Sequence, residues 1–159
     1  MDNFNLPNRQ SIRLNGYDYS TAGYYYITIC TNNRKNIFGT VNEGKVELSI
    51  CGQIVKEEWL NLAITYNNVA LDQFIVMPNH LHGIIILKYK NEITLGDIIC
   101  RYKSITTRKY NKLENIKGKL IWQINYHENI LRDERELHQR QRYIIQNPLN
   151  WENDNNYNI

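Results

Sequence analysis

Two imidazoles flank a single leucine in MPNHLHGIIIL, residues 77–87. On a strand, side chains at i and i+2 leave the same face. His80 and His82 then point the same way, close enough to share one ligand. Ile84 and Ile86 continue that face, so the pair tops an apolar stripe. Pro78 and Gly83 flank it, which suits a strand start and a close backbone approach. The blander reading is two partly exposed strand histidines, each bonded to a backbone carbonyl. A metal site needs more than two imidazoles: a third protein ligand completes the set, with positions left open for substrate and water.

A second constellation lies in QRQRYIIQNPLNW, residues 139–151. Tyr143 and Asn147 are four apart and share one face of a helix. Leu137, Ile144 and Ile145 already supply an apolar stripe, while Tyr143 sits among Gln139, Arg140, Arg142, Gln146 and Asn147. A phenol ordinarily titrates near pH ~10. A guanidinium or divalent cation beside it favours the phenolate and makes it a usable nucleophile, and arginines also hold phosphate. Against this stands the plain alternative, a core aromatic packed beside Ile144. Of the twelve tyrosines, Tyr24, Tyr25 and Tyr26 read as strand residues for packing or base stacking, and Tyr102 lies at core spacing. Tyr110 and Tyr126 remain rivals by pattern. His127 reads as structural and His138 as solvated.

The elements that must position these groups follow from periodicity. YYYITICT, residues 24–31, is aromatic and β-branched and predicts a strand. KVELSI, 45–50, alternates as a half-buried strand. Val55, Trp59, Leu62 and Tyr66 fall at helical spacing and predict a helix over 53–66. Strands are expected at 69–77 and 80–89, interrupted by Pro78-Asn79. Thr94 and Asp97 form a capping-box pattern opening a helix that ends before Gly118, and 120–124 offers a further strand. Asp133, Glu134 and Glu136 suit the start of a last helix, which Pro148 stops after Asn147. The order β-β-α-β-β-α-β-α predicts an α+β fold, a ferredoxin-like antiparallel sheet with helices packed mainly on one face.

A chain of 159 residues suits one domain spanning 1–159, with 152–159 read as a loose polar tail and Trp151 as its docking residue. The opening MDNFNLPNRQ lacks the basic start and apolar core of a signal peptide, and no apolar run is long enough to cross a bilayer. Three scattered cysteines fit neither a disulfide framework nor a zinc pair, so a reduced cytoplasmic protein is expected. The net charge of +3 is unevenly placed: residues 101–142 hold eleven Lys/Arg against five Asp/Glu, a balance of +6 that leaves −3 for the rest. Such a basic half suits a polyanionic partner, nucleic acid above all, although a solvated helix face explains it equally simply.

Five segments together resemble one family. RLNGYDY (13–19), GYYYITICTNNR (23–34), MPNHLHG (77–83), WQINYHENILRDEREL (122–137) and YIIQNP (143–148) resemble the REP-associated tyrosine transposases, a branch of the single-tyrosine HUH transposases. In that group a bulky hydrophobic residue separates two metal-binding histidines. The resemblance implies a ferredoxin-like fold and a metal-dependent DNA strand transferase using Mg2+ or Mn2+. By position, Tyr143 matches the catalytic tyrosine, His80 and His82 the metal pair, and Asn147 the polar residue completing the metal shell. The implied substrate is single-stranded DNA beside a hairpin, such as a repetitive extragenic palindrome, cleaved through a 5′-phosphotyrosine and rejoined by a monomer or homodimer. Arg101, Lys103, Arg108 and Lys109, with Arg140 and Arg142, are the candidate DNA-binding cations. A non-catalytic nucleic-acid-binding module and a metal-dependent nuclease using water are the rival functions.

Overall fold

The structure, a computed structural model, describes residues 14–157. The opening residues inspected for a leader, Arg13 of the RLNGYDY segment and the last two residues of the tail lie outside them.

The described residues contain six strands and three α-helices, in the order β1 (Gly23–Cys30), β2 (Gly39–Asn42), β3 (Lys45–Leu48), α1 (Ile50–Thr65), β4 (Val69–Met77), β5 (His80–Leu87), α2 (Leu95–Leu113), β6 (His127–Leu131) and α3 (Glu134–Gln146). Four strands form one sheet, β4-β5-β1-β6, and each adjacent pair is antiparallel. β1 is central: Tyr24 pairs with Ile86 on one side and Leu131 on the other. This is the expected α+β architecture.

Alternation along the two central strands builds the layers. Tyr25, Ile27 and Ile29 of β1 and Leu81, Ile85 and Leu87 of β5 point to one face, where α1 and α2 cover them with Val55, Trp59, Ile98, Ile99 and Tyr102. Gly83 permits that layer to close. A Cβ there would collide with the Trp59 ring, so only glycine lets α1 lie this near β5. The opposite face carries a smaller core of Tyr26, Ile84, Leu131 and Ile144, with Ile75 and Leu137 beside it, and α3 packs there. Two helices thus share one face, and the third lies alone across the sheet.

The helix starts are chemically explicit. Ser49 Oγ accepts from the Gly52 N–H at 3.1 Å and donates to the Ile37 carbonyl at 2.7 Å, so β3 stops at Leu48 and α1 begins at Ile50, earlier than the apolar spacing predicts. The capping box at α2 is present, with Asp97 N–H to Thr94 Oγ1 at 3.2 Å and Thr94 N–H to Asp97 Oδ2 at 2.9 Å. Asp133 accepts from the Glu136 N–H at 2.8 Å to open α3.

Two sheet expectations need correction. The strand predicted at 45–50 pairs only with β2 in a separate hairpin. The strand predicted at 120–124 is an irregular segment joined to β1 by one bridge, Thr31 with Trp122. Ile121 and Trp122 are buried there, while Leu120 and Ile124 stay exposed, so the apolar run does not cover a sheet face. The sixth strand is instead HENIL, residues 127–131, an edge strand whose polar residues mask its pattern.

Candidate active site

β5 delivers both histidines. It lies between β4 and β1, with His80 opposite Cys30 and Met77 and His82 opposite Thr28 and Ile75. Paired on both edges, the strand cannot slip register without turning its whole core set to the wrong face. The two rings meet edge-to-face with centroids 4.4 Å apart, and both are buried.

Their hydrogen bonds set the chemistry. The Asn79 amide donates from Nδ2 to the carbonyls of Arg34 (3.2 Å) and Asn156 (2.6 Å), which turns Oδ1 toward His80 Nδ1, 2.8 Å away. An amide oxygen only accepts, so His80 carries its proton on Nδ1 and presents Nε2 as a lone pair. His82 Nδ1 lies 2.8 Å from both Tyr26 OH and Thr28 Oγ1, and an Nδ1–H donated to either leaves its Nε2 bare in the same way. Both Nε2 atoms are buried and lack a partner among the described residues. Burial, which disfavours imidazolium, pushes His80 down to about 4, against the pull of Asp154 and Asn147. His82 is lowered too, by burial and then by its neighbour His80. Two neutral imidazoles with second-nitrogen bonds of this kind are built as metal ligands are.

α3 brings the phenol to them. Ile144 anchors the helix on the sheet, and Gln141 Nε2 donates to Asp72 Oδ2 of β4 at 2.7 Å. Tyr143 then lies over His82, its ring centroid 5.4 Å away and the planes at 70°. Its side of the helix is open, with 40% of the residue exposed. Asn147, one turn on, is buried; its Nδ2 donates to Asp154 Oδ2 at 2.6 Å and its Oδ1 has no partner among the described residues. The Tyr143 hydroxyl donates to the same Asp154 oxygen at 3.3 Å. His80, His82, Tyr143 and Asn147, separated by up to 67 positions in the chain, are therefore brought together.

The electrostatics run against the unaided phenol. Burial and the Asp154 carboxylate push Tyr143 above its ordinary range, and the pull of Arg140 toward phenolate does not offset them. Arg140 instead covers the Tyr26 ring at 4.7 Å, backing the tyrosine that holds His82. The Arg140 guanidinium thus does not by itself bring this phenol toward phenolate. The donor set fits a divalent cation: two bare imidazole nitrogens, an unpartnered amide oxygen, and a carboxylate that lies with both histidine ligand atoms inside a 4.8 Å span.

The proposed DNA-binding cations divide. Arg140 and Arg142 ride on α3, the helix that carries Tyr143, and the Arg140 charge acts on its phenol. Arg101, Lys103, Arg108 and Lys109 belong to α2, across the sheet, and the structure does not bring them to this site. Lys103 Nζ donates to the carbonyls of Gln123 and Ile124 at 2.5 and 2.8 Å, and Lys109 pairs with the nearly buried Glu58. Arg101 and Arg108 are exposed.

The residue that pattern reading missed is Asp154. The segment read as a loose tail turns back onto the site through Tyr157, because Trp151 docks against His80, ring centroids 5.9 Å apart, and Tyr157 packs edge-on against Trp151 at 5.2 Å. Trp151 was the one signal in the sequence that this segment could fold back.

The chain matches the family described as "Transposase IS200 like" over residues 19–147. It is 36% identical to an uncharacterized protein of Haemophilus influenzae, across 98% of this chain and 96% of that one. Its fold resembles the solved structure of a REP-associated tyrosine transposase bound to a REP hairpin, with a TM-score of 0.61 and 17% identity over 85% of this chain and 72% of the other. A protein of Deinococcus radiodurans R1, provisionally described as a transposase, superposes with a TM-score of 0.52 at 19% identity, covering 83% of this chain and 94% of its own. With the Tyr143 ring against His82, itself in contact with a second buried imidazole, on a four-stranded antiparallel sheet, and with the family match running from Tyr19 to Asn147, the chain belongs to the IS200-like transposases.

Proposed function

We propose that the protein is a metal-dependent transposase that cuts single-stranded DNA beside a hairpin with Tyr143 as nucleophile and rejoins the strands. The observation that carries the reading is the placement of Tyr143 against His82, 5.4 Å between ring centroids, beside two buried imidazoles whose Nε2 atoms have no partner among the described residues. His80 and His82, with the Asn147 amide oxygen beside them, would hold Mg2+ or Mn2+. Such a cation supplies Lewis-acid stabilisation of charge on the scissile phosphate and the departing 3′ oxygen.

The chain's own residues do the rest. α3 holds the phenol at the rim of the site, so much of the catalysis is positioning. The Tyr143 oxygen bonds phosphorus as the P–O3′ bond breaks. The products are a 5′-phosphotyrosine and a free 3′-OH, with the phenol proton transferred in net to the departing oxygen. Attack by another 3′-OH reverses the step and joins strands without an external energy source, because the phosphoester bond is kept. Arg140 and Arg142, on the same helix, would hold the DNA backbone while this happens. A REP-like palindrome is the proposed hairpin, by likeness to the solved structure above.

The test is a denaturing gel of protein incubated with Mn2+ and labelled, hairpin-flanked single strands. A covalent protein–DNA band that Tyr143→Phe removes is expected. Cleavage without that band would assign the nucleophile to water, and binding without cleavage in any divalent metal would leave only a nucleic-acid-binding module.

A further inference from the structure

We propose that Asp154 is a further ligand of the cation held by His80 and His82, so that the C-terminal segment 151–157 is part of the metal site. The inference rests on the metal-dependent reading above.

Asp154 is not a stray surface acid. Its Oδ1 accepts the Asn156 N–H at 2.7 Å and its Oδ2 accepts the Asn147 amide at 2.6 Å, so both oxygens are fixed in direction. The backbone around it is clasped at three points: Arg34 Nη1 to the Asn155 carbonyl at 3.1 Å, Asn79 Nδ2 to the Asn156 carbonyl at 2.6 Å, and Trp151 against His80. Asn79 is the pivot. One amide orients the His80 ring and holds the chain two residues beyond Asp154. The site into which the carboxylate faces contains two ring nitrogens without a partner among the described residues, on side chains that are 0% and 3% exposed, and one ligand atom from each of the three residues falls within 4.8 Å of the others.

Charge and ligand number favour the carboxylate. Two imidazoles and an amide are all neutral, and Mg2+ and Mn2+ are hard cations that prefer anionic oxygen. With His80, His82 and Asn147, Asp154 would make four protein donors, fewer than the six such a cation takes, so room would remain for the DNA. A carboxylate oxygen has two lone-pair directions, and Asp154 Oδ2 already serves the Asn147 amide and the Tyr143 hydroxyl. The tyrosine bond, 3.3 Å against 2.6 Å, is the weaker. Asp154 Oδ1 takes one bond among the described residues, from the Asn156 N–H, and so keeps a lone-pair direction for a cation.

Mn2+ binding to the full chain, followed by titration calorimetry and by the loss of the free-ion electron-spin signal, tests this without any turnover. Asp154→Asn keeps the side-chain size and removes the charge; melting without metal checks that it folds. One site on the unmodified chain, weakened roughly 10–100-fold in Asp154→Asn and lost in His80→Ala, supports the assignment. Binding lost in His80→Ala but unchanged in Asp154→Asn overturns it and leaves the histidine site standing. No Mn2+ binding by the unmodified chain overturns both this inference and the metal-dependent reading beneath it.

Discussion

The Tyr143 ring stands edge-on to the His82 ring, at 70° and with centroids 5.4 Å apart, although the two residues come from elements that share no backbone pairing. That contact depends on the small core beneath α3, where Ile144 meets Tyr26, Ile84 and Leu131. Ile144→Ala should therefore cost about 2–5 kcal/mol, as large-to-small changes at buried sites do, and should loosen the phenol before the sheet itself. Denaturant melts, read together with the yield of covalent adduct at a denaturant level where the sheet is intact, should show adduct falling first. Parallel loss would mean that α3 and the sheet fold as one unit.

Asn79 sets the tautomer of His80 and tethers the C-terminal segment. Asn79→Ala should weaken Mn2+ binding by roughly 10–100-fold, the usual effect of losing the partner of a ligating histidine. Asn79→Asp, which still accepts at Oδ1, should retain more of it. Equal affinities in all three proteins, measured calorimetrically, would remove Asn79 from the site's support.

Acid should destabilise the fold in a defined window. His80 titrates near 4 when folded and near ~6.5 when unfolded. The unfolded chain thus binds the extra proton between those values, and stability present above pH ~6.5 is lost as pH falls toward 4. The His80 shift alone corresponds to about 3 kcal/mol; His82 moves in the same direction. Asp154, held below the usual carboxylate range by the Asn156 N–H and the Asn147 amide despite its burial, loses its contribution only at still lower pH. Urea melts at pH 7 and pH 4.5 should differ accordingly, and the difference should shrink in His80→Gln. A flat profile would show that the imidazoles are not buried as neutral groups.

The two sets of cations should separate in DNA binding. Arg140→Ala and Arg142→Ala should weaken binding to single strands and each reduce the slope of log K against log salt by about 1. Lys103→Met should leave that slope unchanged and lower stability instead, because its ammonium holds the Gln123 and Ile124 carbonyls. A lowered slope in Lys103→Met would place DNA on the α2 side of the sheet.

What the sequence made legible was local. The i, i+2 spacing of His80 and His82 and the i, i+4 spacing of Tyr143 and Asn147 fix which groups share a face; the two rings touch, and Tyr143 and Asn147 both donate to one Asp154 oxygen. The Thr94–Asp97 capping box was readable for the same reason. Asp154 was not, because its place depends on a chain reversal fixed by Trp151 on His80 and by Asn79 on Asn156, contacts of long sequence separation. β6 was misplaced because edge strands need bury only some residues: Glu128 and Leu131 are buried while His127 and Asn129 are exposed. A charge count over 101–142 could not tell which side of the sheet each cation would occupy, so α2 and α3 were pooled into one basic surface.

The most direct test of the account is the identity and polarity of the covalent bond. A hairpin-flanked single strand is labelled at one end or the other, incubated with Mn2+, and the protein is digested and analysed by mass spectrometry. The account predicts that the adduct carries the fragment 3′ of the cut, joined through its 5′ phosphate to Tyr143, while the released fragment ends in a 3′-OH that a polymerase extends. DNA attached to Tyr110, Tyr126 or any other residue, or attached through a 3′ phosphate, would contradict it.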